Sequence, residues 1–244
     1  MDEENIYERI KDFFGYFPEN LNIIEQQIDI DLQMEYFEFS RSLKEPVEPD
    51  NIPAIKNNLS DKNISPADKK KMLVQLASVE EVEAFRTIEN YLKEPDPDLR
   101  NWALLAYQES RMLLKSKLLG ENQVFISTGL GGKGSMLRYF VVLINNFDKS
   151  FDELQRRIVK NEFDFSLSKF GAELEEINFM NNYCSMLVVV SIKESIRSIF
   201  SATIAECNEY GGFLKTNFIV TNIRILNNEE INDIIQKQKE SGNL

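Results

Sequence analysis

The feature that most constrains this chain is a change of hydrophobic period near Gly120. Before this glycine, apolar residues recur every three or four positions, as on one face of an amphipathic helix. After it, β-branched and aromatic residues stand in short continuous runs that are typical of buried strands. The change predicts an α+β protein with two parts, an acidic α-helical domain over residues 1–119 and an α+β domain over residues 120–244.

The helical part begins with two predicted helices, over residues 2–14 and 20–43. Three prolines after residue 45 end the second helix in a loop over residues 44–64, because proline removes a backbone donor and clashes with the preceding turn. A further helix is predicted to start at Ser65, whose side chain caps it and which precedes a proline at the first helical position. The S-x-x-E pattern of residues 78–81 predicts the next helix start.

Residues 79–119 resemble one helix-turn-helix unit of the HEAT-like repeats. The resemblance rests on the segment PDPDLRNWALLAY, where the family pattern D-P-x-x-R-x-x-A matches Asp96, Pro97, Arg100 and Ala103. It implies that the aspartate caps the second helix, that the arginine ties neighbouring repeats together, and that the alanine permits close helix contact. A small helical bundle is the alternative, because residues 20–78 do not repeat the pattern clearly.

The second part alternates predicted strands and helices. The predicted strands cover residues 124–128, 136–145, 174–180, 183–192 and 215–226, and the predicted helices cover residues 150–163, 193–210 and 228–239. From Met136 the order is β-α-β-β-α-β, which resembles the ferredoxin-like α/β sandwich over residues 136–226. An extra hairpin strand precedes this order and a helix follows it. The fold hosts many activities, so the resemblance selects none of them.

The segment Gly129–Ser135 has the form G-x-G-x-x-G and follows a predicted strand. A dinucleotide site also needs a helix that opens at the third glycine, whereas here a strand follows. A P-loop would need lysine and then serine or threonine after that glycine, where the sequence has Ser135 and Met136. We therefore expect a hairpin tip. The alternative is that the backbone amides and Lys133 hold an anion or a partner peptide.

A small basic face is predicted on the helix over residues 150–163, formed by Arg156, Arg157 and Lys160. We interpret this face as a solvated helix surface. The alternative is that it docks against the acidic residues 1–50 or against a polyanion. The residues predicted to contact an anion or a partner are therefore Gly131, Gly132, Lys133, Arg156, Arg157 and Lys160.

The sequence contains no histidine, which removes Ser-His and Cys-His nucleophile pairs and the commonest transition-metal ligand. Cys184 and Cys207 stand in apolar runs and are interpreted as small buried hydrophobic residues. No apolar run reaches the length of a membrane span, and the N-terminus opens with acidic residues, so we expect a cytoplasmic protein. No catalytic residue, cofactor or metal site is predicted.

The net charge of -12 is unevenly distributed. Residues 1–50 carry 14 acidic and 4 basic residues, whereas residues 111–160 carry 9 basic and 4 acidic residues. This distribution argues against a nucleic-acid-binding protein. Together with the HEAT-like unit and the lack of a complete catalytic constellation, the acidic first helices favour a non-enzymatic interaction or regulatory protein. Its acidic helical region is expected to bind a protein partner of basic character. Its α+β domain is expected to mediate assembly, including homo-oligomers through the sheet, or ligand sensing. The alternative is a small-molecule or nucleotide-binding enzyme or sensor that uses the Gly129–Ser135 loop.

Overall fold

The structure is a computed structural model in which residues 10–12, 15, 18, 21–43, 47–120 and 123–240 are described. Its class is α+β, as predicted. Two compact units are present: residues 28–126 form most of a helical unit, and residues 23–27 join residues 127–240 in an α+β unit. Among the described residues, no helix combines the length and the apolar character needed to cross a bilayer.

From Leu21 to Ile126 the chain is mainly helical. Its elements are β1 (Leu21–Ile23), α1 (Ile30–Ser42), α2 (Ile52–Ser60), α3 (Pro66–Ala77), α4 (Val82–Tyr91), α5 (Arg100–Leu119) and β2 (Val124–Ile126), with 3₁₀ turns at Pro49–Asn51 and Pro97–Leu99. Strands β1 and β2 pair with each other.

The core of the helical unit is built around Trp102 of α5. Its ring lies edge-on to Tyr36 at 5.0 Å between centroids, and its indole nitrogen donates to the backbone oxygen of Lys70 at 3.1 Å. The Nζ of Lys70 lies 4.2 Å from the centroid of the same ring. Helices α1, α3 and α5 are thus joined at one buried side chain, whose polar nitrogen is satisfied.

Local capping signals account for two helix starts. Asp29 precedes α1, and its side chain accepts the amides of Asp31 and Leu32 at 2.9 and 3.2 Å. Ser65 precedes α3 and accepts the amide of Asp68 at 3.1 Å, with Pro66 at the first helical position. The predicted helix start at Ser65 is therefore confirmed.

Three predictions for the helical part need correction. The predicted helix over residues 20–43 begins only at Ile30, because residues 21–23 pair as a strand with β2. The predicted loop over residues 44–64 contains helix α2, whose proline lies in the first turn, where a missing amide costs nothing. Ser78 ends α3 instead of starting α4. The helix predicted over residues 2–14 lies outside the described residues except for residues 10–12, which are helical.

The residues that carry the HEAT-like resemblance have mixed roles. Asp96 makes no capping hydrogen bond; its Oδ2 accepts from Lys69 Nζ at 2.7 Å and from the Tyr91 hydroxyl at 2.8 Å. Arg100 is exposed, and Ala103 is fully buried. The implied capping role of the aspartate is therefore wrong, because the carboxylate neutralises a buried lysine instead.

The α+β unit contains a five-stranded antiparallel sheet. Its elements are β3 (Gly132–Lys133), β4 (Met136–Ile144), α6 (Glu153–Lys169), β5 (Glu173–Phe179), β6 (Tyr183–Ser191), α7 (Ile196–Asn208), β7 (Ile219–Thr221) and α8 (Asn228–Glu240). Strand β4 pairs with β6, and β6 pairs with β5; β3 and β7 both pair with β4. From β4 the element order is β-α-β-β-α-β, as predicted, and the ferredoxin-like fold remains a resemblance of that order.

Both faces of the central strand β4 are buried. Val141 and Leu143 belong to the core that α6 and α7 share with the sheet. Phe140 and Val142 point to the other face, where Leu130 and the α8 residues Ile231 and Ile235 cover them. Alternating side chains point to opposite faces of a strand, so a strand covered on both sides is apolar throughout.

Three predictions for this unit also need correction. The predicted strand at residues 124–128 does not form a hairpin with β4; β2 pairs with β1, and the hairpin partner of β4 is the two-residue strand β3. The predicted last strand over residues 215–226 is confined to Ile219–Thr221. The cap of α6 is Asp152, which forms a capping box with Gln155, and not the predicted Ser150. Cys184 and Cys207 are free and buried, as expected.

Candidate functional site

The glycine loop between β2 and β4 is fastened to the protein. One contact to the loop comes from Arg138, whose Nη1 donates to the backbone oxygen of Leu130 at 2.9 Å. Four of the loop's amides donate to protein acceptors: Leu130 to Asn222 O at 3.0 Å, Gly131 to Thr128 O at 3.2 Å, Gly132 to Glu25 O at 3.3 Å and Gly134 to Glu25 Oε1 at 3.1 Å. Because these amides already have acceptors, they form no cradle for a phosphate in this structure.

Two glycines of the loop are required by close backbone contact. A Cβ at Gly131 would lie 2.4 Å from the backbone oxygen of Glu25, and the residue has a φ of +68°. A Cβ at Gly132 would lie 2.1 Å from the backbone oxygen of Met136. Leu130 is fully buried, so the segment is largely an anchored loop and the hairpin turn is confined to residues 134–135. Glycine is needed here for packing, which is a structural role.

The predicted cation of the loop is already paired. The Nζ of Lys133 donates to both carboxylate oxygens of Glu173, at 2.8 and 2.9 Å, and this hydrogen bond raises the pKa of the lysine. Beside it, Arg138 donates to both oxygens of Glu175 at 2.6 and 2.9 Å, and this contact lowers the pKa of that carboxyl. The basic side chains at this end of the sheet therefore neutralise carboxylates of β5.

The predicted basic residues of α6 are partly engaged. Arg156 donates from Nε to the backbone oxygen of Phe151 at 3.0 Å, and its guanidinium lies 5.5 Å from the ring centroid of Phe179. Arg157 and Lys160 are exposed on the helix surface.

The structure does not bring the predicted anion contacts together. Lys133 reaches the first residue of β5, Glu173, whereas Arg156 lies over its last residue, Phe179. The two residues are six positions apart along the strand, which corresponds to roughly 20 Å. A single small anion therefore cannot contact both groups, and the predicted set does not form one site.

The helical unit presents a different candidate on the outer side of α1. Here Met34 and Phe37 are 57% and 45% exposed, and the exposed carboxylates of Asp31 and Glu38 lie beside them at helical spacing. We call these four residues the α1 surface. An aromatic ring and a thioether exposed among acidic groups are typical of a surface that binds another protein.

The opposite side of α1 fixes this surface in place. Tyr36 is fully buried and its hydroxyl donates to Glu109 Oε2 at 2.5 Å, while Ser40 Oγ donates to Oε1 of the same carboxylate at 3.0 Å. Burial, followed by the charge of Glu109, raises the pKa of Tyr36 well above its ordinary value. The phenol therefore stays protonated and keeps donating to α5, so the α1 surface is carried by a well-anchored helix.

The α+β unit contains a further candidate that the sequence did not indicate. A groove of about 220 Å³ lies on the sheet face next to α8. Its lining includes the buried Phe140 and Ile231, the partly exposed Leu187, and the side chains of Glu176 and Ser185. We call it the sheet-face groove. Its residues come from three strands and a helix, so no local sequence pattern marks them.

No family model and no curated protein matches this chain. Among solved structures, the chain is similar to a putative transposase from Deinococcus radiodurans R1, with 17% sequence identity over 42% of this chain and 91% of that chain. The TM-score is 0.36, and a likeness at this level supports no conclusion about fold or function. The candidate sites are therefore judged on their geometry alone.

Proposed function

We propose that the chain is a non-enzymatic interaction or regulatory protein whose acidic helical region binds a basic protein partner through the α1 surface. The observation that carries this proposal is the exposure of Met34 and Phe37 beside Asp31 and Glu38 on a helix whose other side is buried. We further propose that it acts in the cytoplasm, where the two buried free cysteines would stay reduced.

The chemistry of the surface defines the partner. Burying the exposed parts of an aromatic and a thioether side chain contributes about 25 cal/mol for each Å² removed from water. The carboxylates of Asp31 and Glu38 attract a basic partner and align it, which affects the association rate more than the final affinity. A segment with apolar residues interspersed with lysine or arginine satisfies both requirements.

For the α+β unit we propose ligand binding in preference to assembly through the sheet edges. Edge strand β5 carries Glu173, Glu175 and Glu176 and contains a bulge, and at the other edge β3 and β7 are only two and three residues long. Acidic, bulged and short edges discourage strand pairing between chains. The alternative of nucleotide binding by the Gly129–Ser135 loop has less support, since four of the loop amides and the Lys133 side chain are already engaged.

The proposal is tested by affinity capture on the immobilised full chain, followed by purification of the captured protein and measurement of its affinity. The decisive variant is Met34→Ser combined with Phe37→Ser. We expect it to weaken binding at least tenfold, about 1.4 kcal/mol, because the apolar anchors are lost. Raising the salt concentration from 50 to 500 mM should slow association, because salt screens exposed carboxylates.

The matched control is Val82→Ser, which removes an apolar side chain of similar exposure, 58%, elsewhere on the helical unit. It should bind the partner as the unaltered protein does. Equal affinity of the double variant and the unaltered chain for the purified partner would contradict the α1 surface as the binding site.

A further inference from the structure

The sheet-face groove has an ordered arrangement across the strands. Phe140 of β4 lies opposite Leu187 of β6, which in turn lies opposite Glu176 of β5. In the next row, Ser185 lies opposite Asn178. Strands are spaced about 4.8 Å apart, so a carboxylate lies roughly 10 Å from an aromatic ring, with a leucine between them.

Two polar groups of the groove have unused hydrogen-bonding capacity. Glu176 accepts only from Asn178 Nδ2, at 2.7 Å, and pairs with no cation of the described residues, whereas Glu173 and Glu175 are each held by a basic side chain. Ser185 is 9% exposed, lines the groove and makes no side-chain hydrogen bond within the described part of the chain. The residue as a whole is nine-tenths buried and lines the groove, so a polar ligand in the groove would give its hydroxyl a partner.

The dimensions and the chemistry of the groove select one class of occupant. Small-molecule pockets typically measure about 300–1,000 Å³, and a groove of about 220 Å³ suits a single long side chain better. An apolar floor that leads to an unpaired carboxylate suits an aliphatic stem that ends in a cation. A guanidinium has five donors in a planar fork, so it can serve a carboxylate and a hydroxyl together, whereas a lysine ammonium is a compact point charge.

We propose that the sheet-face groove binds the side chain of an arginine in an exposed basic peptide segment of another protein. The stem of the arginine packs on Leu187, and its guanidinium donates to Glu176 and Ser185. Met180 and Ile225 line the same groove and are 41% and 46% exposed, so they contact the apolar neighbours of the arginine in the peptide. This site belongs to the α+β unit and does not depend on the function proposed for the α1 surface.

The test uses the isotope-labelled full chain and the peptide N-acetyl-Leu-Arg-Leu-amide, followed by NMR. We expect saturable shifts of the backbone amides at residues 176, 178 and 185–187. The same peptide with citrulline in place of arginine has nearly the same shape without the charge, and it should bind at least tenfold more weakly. Absence of shifts at the groove, or equal binding of the citrulline peptide, would overturn the proposal.

Two variants locate the contacts within the groove. Glu176→Gln should weaken binding of the arginine peptide at least tenfold, because it removes the negative charge that strengthens the hydrogen bonds of the guanidinium. Ser185→Val should weaken binding about threefold, because it removes the hydroxyl acceptor. Glu173→Gln is the matched control, since it removes a carboxylate of the same strand that is already paired with Lys133. The affinity of this variant for the peptide should be within twofold of that of the unaltered protein. Equal loss of binding in Glu173→Gln and Glu176→Gln would refute the assignment of Glu176.

Discussion

At the scale of single residues, Gly131 and Gly134 share a left-handed backbone but have different surroundings. Their φ values are +68° and +60°, yet a Cβ would collide with the backbone of Glu25 only at Gly131, whereas Gly134 has open space around it. Gly134→Ala should therefore lower the free energy of unfolding by about 1 kcal/mol, which is the strain of an alanine in the left-handed conformation. Gly131→Ala should lower it by about 2–4 kcal/mol, because overpacking against Glu25 is added to the same strain. Urea unfolding of both variants measures the difference, and equal costs would show that the loop is not anchored as described.

A second residue-scale prediction concerns acid sensitivity at Glu230. Arg224 donates to its carboxylate at 2.5 and 2.7 Å and lowers its pKa from an ordinary value near 4.5 to about 2. A carboxyl with a depressed folded-state pKa contributes stability above pH 4.5, and this contribution is lost as the pH falls towards 2. Glu230→Gln should therefore lower the melting temperature at pH 7, and this difference should be much smaller at pH 2, where most of the contribution is lost. A melting-temperature difference of the same size at pH 7 and pH 2 would show that the charge is not responsible.

At the scale of elements, the start of α6 is a test of which residue caps the helix. Asp152 accepts the amide of Gln155 at 2.8 Å, and its own amide donates to the Gln155 side chain at 3.1 Å, which satisfies two otherwise unpaired donors. Asp152→Ala should therefore destabilise the protein by about 1 kcal/mol. Ser150→Ala, at the position that the sequence favoured, should leave the free energy of unfolding unchanged. Denaturant midpoints of the two variants decide between them.

The ion pair between α3 and the start of α5 gives the second element-scale prediction. The Lys69 side chain is only 5% exposed, and its Nζ lies 2.7 Å from the carboxylate of Asp96, which is 43% exposed. Asp96→Ala leaves the buried ammonium unpaired and should lower the free energy of unfolding by about 2–3 kcal/mol. This loss is smaller than the loss expected for a fully buried pair, because water reaches the aspartate. Lys69→Met should lower the free energy of unfolding by clearly less, because the variant has no buried charge that needs a partner. The reverse order in thermal or urea unfolding would contradict this account.

At the scale of the whole molecule, the short segment of residues 23–27 completes the α+β unit. Glu25 accepts the amide of Gly132 through its backbone oxygen. Through its side chain it accepts the amide of Gly134, which is 109 positions away in the sequence. A fragment of residues 120–244 lacks these acceptors. It should unfold at a lower temperature than the same fragment with residues 21–29 joined through a flexible linker, and scrambling residues 21–29 should remove the gain. Equal melting temperatures of the three fragments would show that the segment is not part of the unit.

The sequence by itself determined the α+β class and those elements whose signals are local. The cap at Ser65, the apolar spacing of α4, α7 and α8, and the apolar runs of β4 and β6 each depend on residues a few positions apart, so a linear pattern contains them. The same reasoning identified Gly131, Gly132 and Lys133 as unusual, but it could not assign their partners.

Tertiary structure alone decided what these residues contact. Residues 21–23, predicted as helix, form a strand because they pair with β2. Glu25 accepts the amides of Gly132 and Gly134, and Glu173 accepts from the Lys133 side chain. The sheet-face groove likewise exists only because three strands and α8 place Glu176 and Ser185 together. Periodicity and capping are short-range effects. Hydrogen-bond partners such as Glu173 for Lys133 and Glu25 for Gly134 lie 40 and 109 positions away, so their approach is fixed only when the chain folds.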